Sequence, residues 1–131
     1  MLINEFEKFK FNDNNQKMTK EVKGIQVPKD YYEFMMIHNG NGGTGEFGKN
    51  SYIQLLNMDE LDEYNEMYEI QKWYPNCFAF GTDLGGNHFV YNIVSKKYCS
   101  VDSCSDYEDR MYEEDLFEEF LLRWDKELEE I

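Results

Sequence analysis

Basic residues are scarce in this 131-residue chain: 13 lysines and arginines face 27 aspartates and glutamates, a formal net charge of −14. A protein that grips nucleic acid neutralises phosphates with clustered cations, and no such cluster exists here, so direct nucleic-acid binding is excluded. Cysteine is also sparse. Three is an odd number that suits no disulfide framework, so a reduced, cytoplasmic protein is expected. No run approaches the ~20 apolar residues of a membrane helix. The opening MLINEFEKFKF interleaves charge with apolar residues and does not read as a secretory signal. With two histidines and no second cysteine pair beside Cys99 and Cys104, a metal site is not expected.

What the chain does have is apolar and aromatic mass, 41% hydrophobic and 17% aromatic. That argues against disorder despite the charge. The length suits one domain spanning residues 1–131, large enough to build a core without metal or disulfide staples.

The charge is unevenly placed. Residues 1–58 carry seven acids and seven lysines, whereas residues 101–131 carry 13 acids and three basic residues, a net of −10. Asp102, Asp106, Glu108, Asp109, Glu113, Glu114, Asp115, Glu118 and Glu119 follow in quick succession, interrupted by Tyr107, Met111, Tyr112, Leu116 and Phe117. One reading is a solvated helix face with an acidic loop. The other is a docking surface for a basic partner, with Asp102, Asp106, Glu108, Asp109, Glu113, Glu114 and Asp115 as the charged rim and Tyr107 and Tyr112 as anchors.

Local patterns give an element order. Leu2–Phe11 carries a weak helical pattern. Pro28 suits the first turn of a helix, and Tyr31, Phe34, Met35 and His38 fall on one stripe that ends at Asn39-Gly40. Tyr52–Leu56 reads as a strand. Asn57 and Glu60 then resemble a capping box opening a helix with Leu61, Tyr64 and Tyr68 on one face and an end before Pro75. Cys77–Phe80, His88–Val94 and Tyr98–Val101 read as strands of one sheet. Phe117, Phe120, Leu121, Trp124 and Leu128 form the apolar stripe of a closing helix. The order predicts an α+β fold, a mostly antiparallel or mixed sheet packed by helices.

Each pattern that suggests chemistry has a plainer explanation. GNGGTG (Gly40–Gly45) matches the dinucleotide fingerprint in letters, but a helix precedes it and a strand follows, the reverse of what a pyrophosphate site needs. GTDLGG (Gly81–Gly86) lacks the Lys-Ser/Thr of a P-loop and reads as a β-turn. Cys77 and His88 make a nucleophile and base on paper, but Cys77 begins a buried strand. Tyr31, Tyr32, Tyr64, Tyr68 and Trp73 have the spacing of core residues rather than of a ligand platform. No catalytic residue, metal or cofactor is assigned.

Three blocks together resemble the Smi1/Knr4 family of the SUKH superfamily. VPKDYYEFMMIHNGNGG (Val27–Gly43) is similar to the family's Leu-Pro, acidic-Tyr, apolar helix ending in Asn-Gly-Gly. FAFGTDLGGNHFVYNI (Phe78–Ile93) is similar to its strand, Gly-x-Asp turn and returning strand, although His88 stands where a second acid is common. LFEEFLLRW (Leu116–Trp124) resembles its closing helix. The resemblance implies structural roles for Pro28, Asn39, Gly40, Gly81, Asp83, Gly85 and Gly86. It also implies a function. Bacterial members are typically immunity proteins (antitoxins) that bind a cognate toxin, often a nuclease domain, and block its active site without doing chemistry. Fungal members suggest the alternative of a regulatory scaffold or adaptor. Apart from the resemblance, an enzyme or small-ligand binder using the two glycine loops is a third reading.

Overall fold

A computed structural model describes residues 20–38, 46–47, 51–52, 54–56, 60–83 and 85–129. A two-stranded hairpin, β1 (Glu21–Val22) and β2 (Ile25–Gln26), leads into helix α1 (Lys29–His38). Strands β3 (Glu46–Phe47) and β4 (Ser51–Tyr52) pair with each other, and β5 (Gln54–Leu55) opens the main sheet. Helices α2 (Leu61–Met67) and α3 (Ile70–Trp73) follow. Then come β6 (Cys77–Thr82), β7 (Asn87–Asn92), β8 (Lys97–Asp102), a 3-10 turn (Tyr107–Asp109), β9 (Met111–Glu114) and α4 (Phe117–Glu129). The main sheet is an antiparallel meander in the order β5-β6-β7-β8-β9. The expected α+β architecture is what the chain adopts.

Strands β6, β7 and β8 are buried on both faces of the sheet, to which their side chains point alternately. Phe78, Phe80, Phe89, Tyr91 and Tyr98 point to one face and meet Tyr31, Phe34 and Met35 of α1 and Phe117, Phe120 and Leu121 of α4. Cys77, Ala79, Val90, Cys99 and Val101 point to the other and meet Ile70 and Tyr74. The first core explains the aromatic content. Phe117 lies edge-on to Tyr31, Phe34 and Phe80 at centroid distances of 5.1, 5.0 and 5.4 Å. Edge-to-face rings gain electrostatic energy beyond their burial. The predicted stripes of α1 and α4 are buried at Tyr31, Phe34, Met35, Phe117, Phe120 and Leu121. The side chains of His38, Trp124 and Leu128 lie outside the described residues, as do residues 2–11, Asn39, Gly40 and Asn57.

Three expectations need correction. Tyr52–Leu56 is not one strand: β4 pairs with β3, whereas β5 pairs with β6. The helix expected to run to Pro75 breaks at Glu69, which adopts a left-handed φ of 51° and restarts the chain as α3. Tyr68 and Trp73, expected as core residues, are exposed. The acidic stretch, expected as loop and helix face, contains an edge strand, β9. One extra residue on β9 opposite Tyr98–Ser100, with Tyr112 at φ 59°, makes a bulge there. Bulges of this kind twist an edge strand and discourage further pairing.

Asp30 ties the layers together. Its carboxylate accepts hydrogen bonds from the Tyr98 hydroxyl (2.5 Å) and from the backbone N–H of Phe117 (2.8 Å), the first residue of α4. Charge-assisted bonds at a helix N-terminus also complement its dipole. Asp30→Ala is expected to cost about 2 kcal/mol, read as a lower urea midpoint with an unchanged slope.

Candidate functional site

The acidic stretch divides once it is folded. On β9 and just after it, the acids are matched: Glu113 pairs with Arg110 at 2.5 Å, Glu114 with Arg123 at 3.2 Å, and Asp115 with Lys97. At the end of β8 and in the connection to β9, Asp102, Asp106, Glu108 and Asp109 are exposed, and among the described residues they form no ion pair. Asp102 accepts the N–H of Cys104 at 2.8 Å, which shapes the turn and leaves the charge in place.

The two tyrosines face inward. Tyr107 packs against the second core beside Cys99, and burial raises its hydroxyl above the ordinary 10. The Arg110 guanidinium lies 4.7 Å from the centre of its ring. Tyr112 packs against the first core with Arg123 over its ring at 6.0 Å. Both hold the acidic connection to the body of the protein, so the charged rim rests on a fixed base.

The family-motif turn is also built from contacts the sequence hinted at. Asp83 accepts the N–H of Gly85 (2.7 Å), the N–H of Asn87 (3.1 Å) and the side-chain amide of Asn87 (2.8 Å). Gly86 takes a φ of 101°. A β-carbon on Gly81 would come within 2.8 Å of the Gln54 carbonyl, so only glycine lets β5 approach β6 there. Pro28 precedes α1, and its carbonyl accepts the N–H of Tyr32 at 2.9 Å.

Beside this turn, between α2 and the sheet, lies a groove of about 410 Å³ lined by Glu60, Glu63, Tyr64, Met67, Tyr68 and His88 among others. The rings of Tyr64, Tyr68 and His88 form a mutual cluster, with centroids 4.6, 5.6 and 5.1 Å apart. Tyr64 and His88 Nδ1 share a hydrogen bond of 2.6 Å. Burial pushes His88 below its ordinary 6.5, against the opposing pull of Asp83 and Asp102. Burial likewise pushes Tyr64 up to about 12. Both side chains are therefore neutral around pH 7, and the groove's charge is carried by carboxylates. Sequence spacing placed Tyr64 and Tyr68 in the core; the groove appears only when the β6–β7 turn brings His88 against them.

The Cys77–His88 pairing does not form. Cys77 lies opposite Asn92 and Thr82 opposite His88, which puts the two residues ~13 Å apart along the strands. Burial holds both core thiols, Cys77 and Cys99, at about 12. A raised thiol pKa means the folded state keeps a proton that the unfolded state releases above about 9. The stabilisation is complete below that pH and is lost as pH rises towards 12. Iodoacetamide at pH 8 is expected to label one cysteine, the exposed Cys104, and all three only after unfolding.

Among the described residues no group of His, Cys, Asp and Glu is arranged to hold a metal, and no helix is long and apolar enough to cross a membrane. No curated protein matches the chain. A family model does. The motif-bearing helix α1, the Asp83 turn between β6 and β7, and the first seven residues of α4 (Phe117–Arg123) fall inside the match, as does the whole main sheet. The model is that of the SMI1 / KNR4 family (SUKH-1), it covers residues 13–123, and the chain belongs to that family.

Proposed function

We propose that this protein is an immunity protein that binds a cognate bacterial toxin, a basic nuclease domain, and blocks its active site. The observation that carries this reading is the sorting of charge along Asp102–Asp115. Four carboxylates at Asp102, Asp106, Glu108 and Asp109 stand exposed without a cation among the described residues, while the three that follow are neutralised within the fold. An acidic surface held on packed tyrosines suits the phosphate-binding cleft of a nuclease. It also speeds the encounter with such a partner, which matters when that partner is lethal. Family membership supports the same reading through the immunity role typical of bacterial members.

The test is co-expression with the toxin encoded beside this gene. Cells are expected to survive only when this protein is present, and the two chains are expected to co-purify. Equal killing with and without it would refute the proposal.

A further inference from the structure

The groove beside the β6–β7 turn has three properties that belong together. Its walls include the aromatic cluster of Tyr64, Tyr68 and His88. Its rim carries Glu60 and Glu63, and among the described residues no lysine or arginine lines it. Apolar surface stays open in it, with Met67 62% and Tyr68 47% exposed. Exposed tyrosine and methionine in a cleft are residue types that anchor protein interfaces.

Electrostatics choose the occupant. With His88 held neutral by burial, a group entering the groove meets the π-faces of aromatic rings and the negative charge of Glu63, with Asp83 and Asp102 close enough to bear on His88. An anion is repelled there, and an apolar group makes no use of the Glu63 charge. A planar cation gains on both counts, because guanidinium stacks on aromatic faces and forks onto carboxylates.

We infer that this groove receives an arginine side chain of the partner protein, stacked on Tyr68 and paired with Glu63. This rests on the reading that the partner is a basic protein. It adds a second contact, separate from the acidic connection at residues 102–109, with Ser103 bridging the two regions: it lines the groove and its N–H bonds to the Gly86 carbonyl at 2.8 Å.

The experiment is an NMR titration of the isotope-labelled protein with the blocked tripeptide Ac-Gly-Arg-Gly-NH₂ and with its norleucine counterpart. The arginine peptide is expected to shift the resonances of Tyr64, Tyr68 and His88. E63Q and Y68A, both at exposed positions, are each expected to weaken it by about two- to fivefold. Equal binding of the norleucine peptide, or shifts confined to residues 102–109, would overturn the inference. Affinity for the toxin is then measured with the same variants. If the wild-type protein binds no toxin, the immunity reading falls and the peptide result still decides the groove. If toxin binds wild type, E63Q and Y68A alike, the groove inference falls and the immunity reading stands.

Discussion

The triple variant D106K/E108K/D109K is expected to associate with a basic toxin about a hundredfold more slowly than wild type at low salt. The three carboxylates are exposed and form no ion pair among the described residues, so each adds its charge to the field a partner meets. Replacing all three by lysine changes the local charge by six units. The effect falls on the association rate, because exposed charges steer encounter more than they hold a formed complex. Raising ionic strength should bring the two rates together as the Debye length shrinks to ~3 Å near 1 M salt. Glu5 and Glu7, in the charge-balanced first 58 residues, serve as the control. Stopped-flow mixing checks the prediction. Equal rates for the triple variant and an E5K/E7K control would mean that the acidity serves solubility alone.

Asn65→Ala is expected to destabilise the fold by about 3–5 kcal/mol, the largest effect foreseen for a polar residue here. Asn65 is fully buried on α2 and takes the place of a strand at the edge of β6. Its side-chain oxygen accepts the N–H of Ala79 at 2.7 Å, and its amide donates to the Ala79 carbonyl at 2.9 Å and to the Leu61 carbonyl at 2.8 Å. Gln71 of α3 extends the network, donating to Asn65 and to the Cys77 carbonyl. Strand β5 is only two residues long and pairs with Gly81 and Thr82, so the β6 backbone at Ala79 depends on this side chain. Alanine would leave a buried N–H and a buried carbonyl unbonded, each worth about 1–3 kcal/mol. Urea unfolding measures the loss. A shift under 1 kcal/mol would show that water replaces the amide.

These two residue sets differ in how far they can be read along the chain. The acidic run is plain in the sequence because charge can be counted without knowing the fold. Asn65 is not, since a lone asparagine between Tyr64 and Glu66 looks like a solvated helix position. The long elements were legible for a local reason. The i, i+3, i+4 spacing of Tyr31, Phe34 and Met35, and of Phe117, Phe120 and Leu121, is a property of one helix face. The β-rich runs bounding the GTDLGG turn are equally local. Strand β9 was not legible, because MYEE has neither alternation nor an apolar run, and it is held by pairing with β8 and by its ion pairs. The helix break at Glu69 was hidden as well. A left-handed glutamate has no signature of its own and is sustained by the packing of Ile70 and Tyr74 beneath the sheet.

The sequence by itself determined the fold class, the family blocks and the concentration of acid in the last quarter of the chain. Composition and short-range periodicity carry that information. Only the tertiary structure decided which acids are answered by Arg110, Arg123 and Lys97 and which remain open to a partner. Only it turned Tyr107 and Tyr112 inward and brought His88 against Tyr64 and Tyr68. Those outcomes depend on distances between residues far apart in the chain, and such distances are set by strand register and helix packing.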